Sequence, residues 1–427
     1  MKTKTASKRV RNGLVAALDV GTTKVCCLIA RLDSNGGPAP EDRLKIIGIG
    51  HQVSHGLRSG AIVDLDETEA SIRATVEAAE QMAGENIPGV VVNLSGGKLK
   101  SRLIAYEVSI AGHEIGDADL RRILDPAVLQ DGLPKERELV HTIPVGYSVD
   151  GNRGVRDPRG MFGERLGVNM HIITALSGPV RNLETSVQRC HLEVQDKVVS
   201  SYASALATLV EDETQLGVTC IDMGGGTTSI AVYFDGELVH TDTIPIGGVH
   251  VTNDIARGLS TPLDQAERMK TLYGSVLASS SDDREIIKAP LVGEGQGAEA
   301  NNIPRSMLIG IIRPRIEETM EMVRDRLAEA GFDKVAGQRV VLTGGASQLT
   351  GVRELSASIL DKQVRMGRPR SIDGMAEAIA GPSFATSVGL LHYAVSNKAE
   401  VPSAAYCPPE QMNRGFGRIG QWLRENF

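Results

Sequence analysis

Two short segments of this chain combine residues suited to gripping a phosphate. In LDVGTTK, Asp19 precedes Gly21, Thr22, Thr23 and Lys24; in IDMGGGTTS, Asp222 precedes Gly224, Gly225, Gly226 and Thr227. Glycines let backbone N–H groups approach phosphate oxygens, threonine hydroxyls add donors, and a carboxylate can hold a hydrated Mg2+. Apolar runs flank each segment, which predicts a β-hairpin with the polar residues at its tip. A lone Gly/Thr turn also closes ordinary hairpins. Two such turns, each with an acid before it, point to two halves of a duplicated protein holding one nucleotide. No G-x-x-x-x-G-K-[ST] segment occurs, so the pattern is not that of a P-loop enzyme.

Further along, TGGASQLTG offers Gly344 and Gly345 as a flat seat for a purine, with Ser347 as a hydrogen-bonding neighbour. The same residues suit a tight strand-to-helix turn. Glu267 and Lys270 stand three apart on one face of a predicted helix, a spacing that also makes a surface ion pair.

These residues need a scaffold, and composition bounds it. At 427 residues the chain is too long for one hydrophobic core, so two or more domains are expected. Aromatics make up 3% of residues and the net charge is −7, which argues against a nucleic-acid partner. Cys26, Cys27, Cys190, Cys220 and Cys407 lack metal-site spacing and read as thiols of a reducing cytosol. The basic start MKTKTASKRVRNG lacks the apolar stretch of a signal peptide and reads as a solvated arm. No window approaches the roughly 20 apolar residues of a spanning helix.

Periodicity predicts a strand over Leu44–Ser54 and a helix over Glu67–Ala83. From Val90 strands alternate (Val90–Leu94, Leu103–Ile110, Leu139–Val149, Leu166–Ala175) around one short helix, Asp117–Leu124, which reads as a small α+β insertion. Helices are predicted over Pro179–Cys190, over the small-residue stretch DKVVSSYASALATLVED, and over Pro262–Tyr273. A polar loop spans about Gly293–Asn302, and a long helix follows over about Arg305–Gly331, with Pro314 at a kink or a helix start. RVVLTGGASQLTG reads as strand, turn and helix, and ATSVGLLHYAV as a closing helix before the tether KAEVPSAAYCPPEQMN.

The tail NRGFGRIGQWLRENF carries a second chemistry. At 100° per residue, Phe416, Ile419, Trp422, Leu423 and Phe427 gather within an arc of about 140°, with Arg414, Arg418 and Arg424 outside it. A helix from Phe416 to Phe427 is about 18 Å long, too short for roughly 30 Å of hydrocarbon. It is expected to lie in the interface, aromatics down and arginines toward anionic lipid headgroups. A terminal helix docked on the protein's own core is the other reading.

The paired hairpins, the SYASALA helix, GGASQLTG and the closing helix, in that order, resemble the five-part signature of the actin/Hsp70/sugar-kinase ATPases. With the α+β insertion and the tail, the chain most closely resembles the FtsA family of bacterial cell-division proteins. The resemblance covers about Leu14 to Phe427.

It implies an α/β, two-lobed actin-like fold of duplicated ribonuclease H-like domains, with an inserted subdomain and a C-terminal amphipathic helix. The implied division is a basic tail 1–13; subdomain 1A at 14–86, 177–214 and 384–397; inserted 1C at 87–176; 2A at 215–246 and 322–383; 2B at 247–321; linker 398–413; and membrane helix 414–427. ATP is the implied cofactor, with Mg2+ held through water by Asp19 and Asp222. Gly247 and Gly248 fall where relatives approach the phosphate tail, and Glu267 and Lys270 where relatives reach the ribose and base. Relatives orient the attacking water with Gln or Glu at the start of the helix after the insertion. The nearest match here is Asp196, one methylene shorter, which serves equally as a helix N-cap. ATP binding with slow or negligible turnover is therefore expected.

The resemblance also implies self-association into filaments, with the insertion against a neighbouring subunit. NNIPRSM falls where the C-terminal peptide of the tubulin-like protein FtsZ binds, with Arg305 chosen to meet it; a solvated helix-start arginine is the other reading. Later division proteins are further implied partners. The expected role is to anchor FtsZ filaments to the cytoplasmic face of the inner membrane at the division septum. The rival is a small-molecule kinase or activase of the same superfamily; a peptide-binding chaperone is a third reading.

Overall fold

The computed structural model of the chain describes residues 13–33, 43–125, 133–293, 301–333 and 337–396. The first glycine-threonine segment is the tip of an antiparallel hairpin, β1 (Leu14–Val20) and β2 (Lys24–Leu32), with Asp19 opposite Cys26 and Val20 opposite Val25. Strand β3 (Leu44–Val53) pairs with β2. A small hairpin of β4 (Leu57–Arg58) and β5 (Ala61–Ile62) leads into helix α1 (Leu65–Ala83). Asp64 caps α1 by accepting from the Asp66 and Glu67 N–H groups, and Gly84 ends it in the left-handed region. Strand β6 (Gly89–Leu94), a buried GVVVNL run, then lies parallel to β1.

The insertion follows as β7 (Lys100–Ser109), α2 (Asp117–Ile123), β8 (Arg137–Val149), β9 (Asn152–Val155) and β10 (Arg165–Leu176). Its four strands form an antiparallel sheet of order β7-β10-β8-β9. A core of its own includes Ile110, Ile115, Leu166 and Met170.

The chain returns through α3 (Ser177–Arg189), strand β11 (Glu193–Val199), and helices α4 (Ser200–Thr208) and α5 (Glu211–Leu216). Here the sequence expectation needs correction, because DKVVSSYASALATLVED is not one helix. Its first residues are strand: Val198 and Val199 are β-branched, fully buried, and run parallel to β6. The helix holds only where the side chains turn small.

The second half repeats the pattern with β12 (Val218–Met223), β13 (Thr228–Phe234) and β14 (Glu237–Ile244). After these come α6 (Gly248–Leu259), α7 (Leu263–Tyr273), β15 (Ile286–Ala289), β16 (Asn301–Pro304) and α8 (Arg305–Glu329). Pro314 lies inside α8, so it does not mark the helix start. The chain then forms β17 (Arg339–Thr343), α9 (Val352–Leu360), β18 (Gln363–Met366) and α10 (Ala385–Val395).

The two main sheets have orders β3-β2-β1-β6-β11 and β14-β13-β12-β17-β18. Each joins three antiparallel strands to two parallel ones, in the same sequence of neighbours. The duplication inferred from the hairpins thus extends to whole domains. One shared core holds residues of both sheets together with α4 and α10. Every residue of α10 is buried, as expected of a largely apolar helix that lies between two layers. A Cβ on Gly389 would lie 1.7 Å from the Ala203 carbonyl oxygen, so α10 crosses α4 at backbone contact.

Candidate functional site

The two hairpin tips are closed alike. The Gly21 N–H donates to the Lys24 carbonyl at 3.0 Å, and the Gly224 N–H to the Thr227 carbonyl at 2.8 Å. The tips also face each other. A Cβ at position 225 would lie 2.5 Å from Thr23 Oγ1, and one at 226 would lie 2.3 Å from Thr22 Oγ1. A cleft opens beside this contact, lined by Asp19, Gly21 to Lys24, Asp222, Gly224 to Thr227, Gly344 and Gly345. Residues from separated parts of the sequence therefore converge on one site.

Asp19 and Asp222 lie near the ends of β1 and β12, 6% and 8% exposed. Ser387 Oγ donates to Asp19 Oδ2 at 2.8 Å, and Thr386 Oγ1 to Asp222 Oδ2 at 3.1 Å. Ser204 Oγ also donates to Asp222 Oδ2 and stands 2.8 Å from Thr386 Oγ1. Burial raises both carboxyls above the usual range, while hydroxyl donors and Lys24 pull them back. Two buried acids on one cleft, surrounded by hydroxyl oxygens, are the donor set a hard cation takes. Among the described residues no cluster of three or more His, Cys, Asp or Glu could hold a metal. Asp19 and Asp222 would fit a hydrated Mg2+ held mainly through water.

Lys24 donates to the Ser383 carbonyl and sits 3.6 Å over the Phe384 ring, tying the first tip to the start of α10. Gly344 has φ +86, and a Cβ there would meet Asp222 Oδ1 at 2.3 Å, so glycine is required on both counts.

Several residues differ from their sequence reading. Ser347 is 2% exposed and donates to the Gly344 carbonyl at 2.7 Å, so its proton closes the turn and is not offered to a base. Gly247 and Gly248 lie behind the second tip: Gly248 N–H donates to the Gly224 carbonyl at 3.0 Å and Val249 N–H to that of Gly225 at 2.8 Å. Lys270 Nζ donates to Glu267 Oε2 at 2.6 Å, to Thr252 Oγ1 at 2.9 Å and to the Gly248 carbonyl at 3.1 Å. This is no simple surface pair, since it braces α7 against the first turn of α6.

Asp196 lies within β11, accepts from Tyr393 Oη at 3.3 Å, and is not among the cleft-lining residues. Neither does it cap α4, whose N-cap is Val199. Arg305 does begin α8, but it donates to Asp282 Oδ1 at 3.0 Å, Glu285 Oε2 at 3.2 Å and the Tyr273 carbonyl at 3.0 Å. Its charge is matched within the fold rather than left to solvent. The tail residues Phe416, Arg418, Ile419, Trp422, Leu423, Arg424 and Phe427 lie outside the described residues, as do linker 398–413 and most of the basic arm.

Sequence reasoning missed Asn93, Ser95, Ser200, Ser383 and Thr386, which also line the cleft. Asn93, Ser95 and Ser200 sit at the carboxyl ends of β6 and β11, where open α/β sheets bind ligands. That signal is lost when the β11 segment is read as helix.

With the site in view, comparison with known proteins places the chain. The family "Cell division protein FtsA" matches residues 219–389, and "SHS2 domain inserted in FTSA" matches 96–174, the block that holds β7 to β10. Cell division protein FtsA of Agrobacterium fabrum is 45% identical over 424 residues, covering 98% of this chain and 96% of that protein. The chain belongs to the FtsA family.

Among solved structures, the PilM–PilN type IV pilus biogenesis complex aligns at TM-score 0.63 and 18% identity, covering 91% of this chain and 99% of that one. MreB5 of Spiroplasma citri bound to ADP aligns at TM-score 0.52 and 14% identity, over 90% and 96%. These likenesses establish that this FtsA-family chain has the actin-like fold, and the family match at 96–174 gives it an inserted SHS2 domain.

Proposed function

We propose that this FtsA-family protein binds ATP with Mg2+ between its two hairpin tips and polymerises in that state on the cytoplasmic face of the inner membrane. There it anchors FtsZ filaments and helps assemble the septal ring. The observation that carries the nucleotide reading is the meeting of Thr22 with Gly226 and of Thr23 with Gly225, with Asp19 and Asp222 buried beside them. Phosphates held between the tips would be gripped by both lobes at once, which favours the closed arrangement. Mg2+ would be held through water by Asp19 and Asp222 and would offset the phosphate charge. Gly344 and Gly345 supply the purine's seat, and the Lys270–Glu267 brace shapes the ribose side.

The membrane reading rests on the tail's aromatic and arginine faces. Among the described residues no helix is long and apolar enough to cross a membrane. A single short amphipathic helix binds weakly, and subunits lined up in a filament multiply it by avidity.

Titration with a fluorescent ATP analogue, with and without Mg2+, tests the cleft. The wild-type protein should bind in a Mg2+-dependent way, and Asp222→Ala should weaken binding at least about tenfold through loss of a charged contact. Equal binding by the variant, or none by the wild type, would overturn the reading.

A further inference from the structure

The Asn93–Ser95–Ser200 cluster has a fixed arrangement of protons. Val20 N–H donates to Asn93 Oδ1 at 2.7 Å, and a backbone N–H can meet only the oxygen end of the amide. Asn93 Nδ2 must then face the serines, and it donates to Ser95 Oγ at 3.1 Å and to Ser200 Oγ at 3.2 Å. The two serine oxygens stand 2.8 Å apart, so one donates to the other. Each hydroxyl carries one proton. One proton is used between the serines, and the amide's are used on them. A single O–H remains to point outward, and all three residues line the cleft.

Position in the cleft sets what that donor meets. The Gly60 N–H donates to Thr22 Oγ1 at 3.0 Å. A Cβ on Gly60 would lie 3.0 Å from Thr227 Cγ2 and 3.2 Å from the Ser95 carbonyl oxygen. One glycine thus lies against both tips and the backbone of Ser95, which puts the cluster beside the residues that would hold phosphate. The ionisable groups among the cleft-lining residues are Asp19, Lys24 and Asp222. The serine cluster itself is neutral, and hydroxyls held this way donate a hydrogen bond without taking a proton from water.

We propose that Asn93, Ser95 and Ser200 form a neutral hydroxyl subsite that recognises the third phosphate of a nucleoside triphosphate. The inference rests on the nucleotide reading above and deepens it. The subsite distinguishes triphosphate from diphosphate without promoting hydrolysis, so the bound state persists long enough to act as a signal. Asn93 is a positioning residue, since its 2% exposure and its bond to Val20 fix which way the serines point.

The test compares Kd values of the full chain for Mg-AMPPNP and Mg-ADP by calorimetry, in wild type and in the double variant Ser95→Ala/Ser200→Ala, because after either single change the remaining serine still has one O–H to point outward. Loss of a hydrogen bond to a charged oxygen should weaken AMPPNP by about tenfold and leave ADP within about twofold. Parallel weakening of both nucleotides, or no change in either, would overturn the subsite. Ser95 lies in a loop and is only half-buried, so Ser95→Val, which removes one hydroxyl and sets a methyl against the other, decides the matter if the double variant fails to fold. Wild-type protein that binds neither nucleotide would sink the nucleotide reading itself; wild-type binding of both with indifferent variants would sink the subsite alone.

Discussion

Thr22 and Gly226 stand so close that a Cβ on residue 226 would lie 2.3 Å from Thr22 Oγ1, although the two belong to different lobes. The first tip therefore packs on bare backbone of the second. Substituting Gly226→Ala puts a methyl into that contact while leaving each hairpin's own bonds intact. Overpacking of about 1–3 kcal/mol corresponds to roughly five- to 150-fold in affinity. ATP titration should show such a loss, with an unchanged far-UV circular dichroism spectrum. Undiminished affinity would mean that the tips do not close on the ligand in this way.

The crossing of α4 and α10 gives a stability prediction with its own control. Gly389→Ala drives a methyl to 1.7 Å from the Ala203 carbonyl oxygen, backbone that has little room to yield. A cost of about 3 kcal/mol is expected, read as a lowered urea midpoint. A Cβ added to Gly310, in α8, would meet nothing within 4 Å, so Gly310→Ala should be neutral or stabilise by up to about 1 kcal/mol.

His171 supplies a pH dependence. Its Nε2 is 2.6 Å from Ser101 Oγ, which accepts the Thr241 N–H at 3.2 Å and so links the insertion to β14 of the second lobe. Burial pushes His171 down to about 3, with neighbouring His240 adding to the effect. A histidine held neutral in the fold stabilises it above its ordinary value near 6.5, and that contribution is lost as pH falls toward 3. Unfolding free energies from urea titrations across pH 4–6 should therefore fall less steeply in His171→Gln, by up to about 1.4 kcal/mol per pH unit. Identical slopes would show that His171 does not titrate with unfolding.

For the tail, Trp422→Glu replaces the largest apolar side chain of the arc with a charge. Cosedimentation with anionic liposomes should be lost, while ATP affinity stays at the wild-type value. Retained cosedimentation would return the tail to a helix docked on the protein itself.

Much of this architecture is legible in the chain itself. The Asp19 and Asp222 turns announce two hairpins because apolar runs flank them, and the alternating strands of the insertion follow from period-two patterning. What stays hidden depends on contacts distant in sequence. Residues Lys197 to Val199 read as the start of a helix because small residues follow them, yet pairing with β6 holds them as strand. Arg305 looks like a spare cation because its partners Asp282 and Glu285 lie some twenty residues away. Ser204, Thr386 and Ser387 carry no motif at all; they gain meaning only when two helices bring their hydroxyls to the acids.

The most direct measurement is recruitment of FtsZ to anionic liposomes with Mg-ATP, comparing the full chain with a truncation after Met412. The full chain should carry FtsZ to lipid and the truncation should leave it in solution. Recruitment by neither form, together with ATP consumption on addition of small metabolites, would contradict the anchoring role and favour a kinase of the same fold.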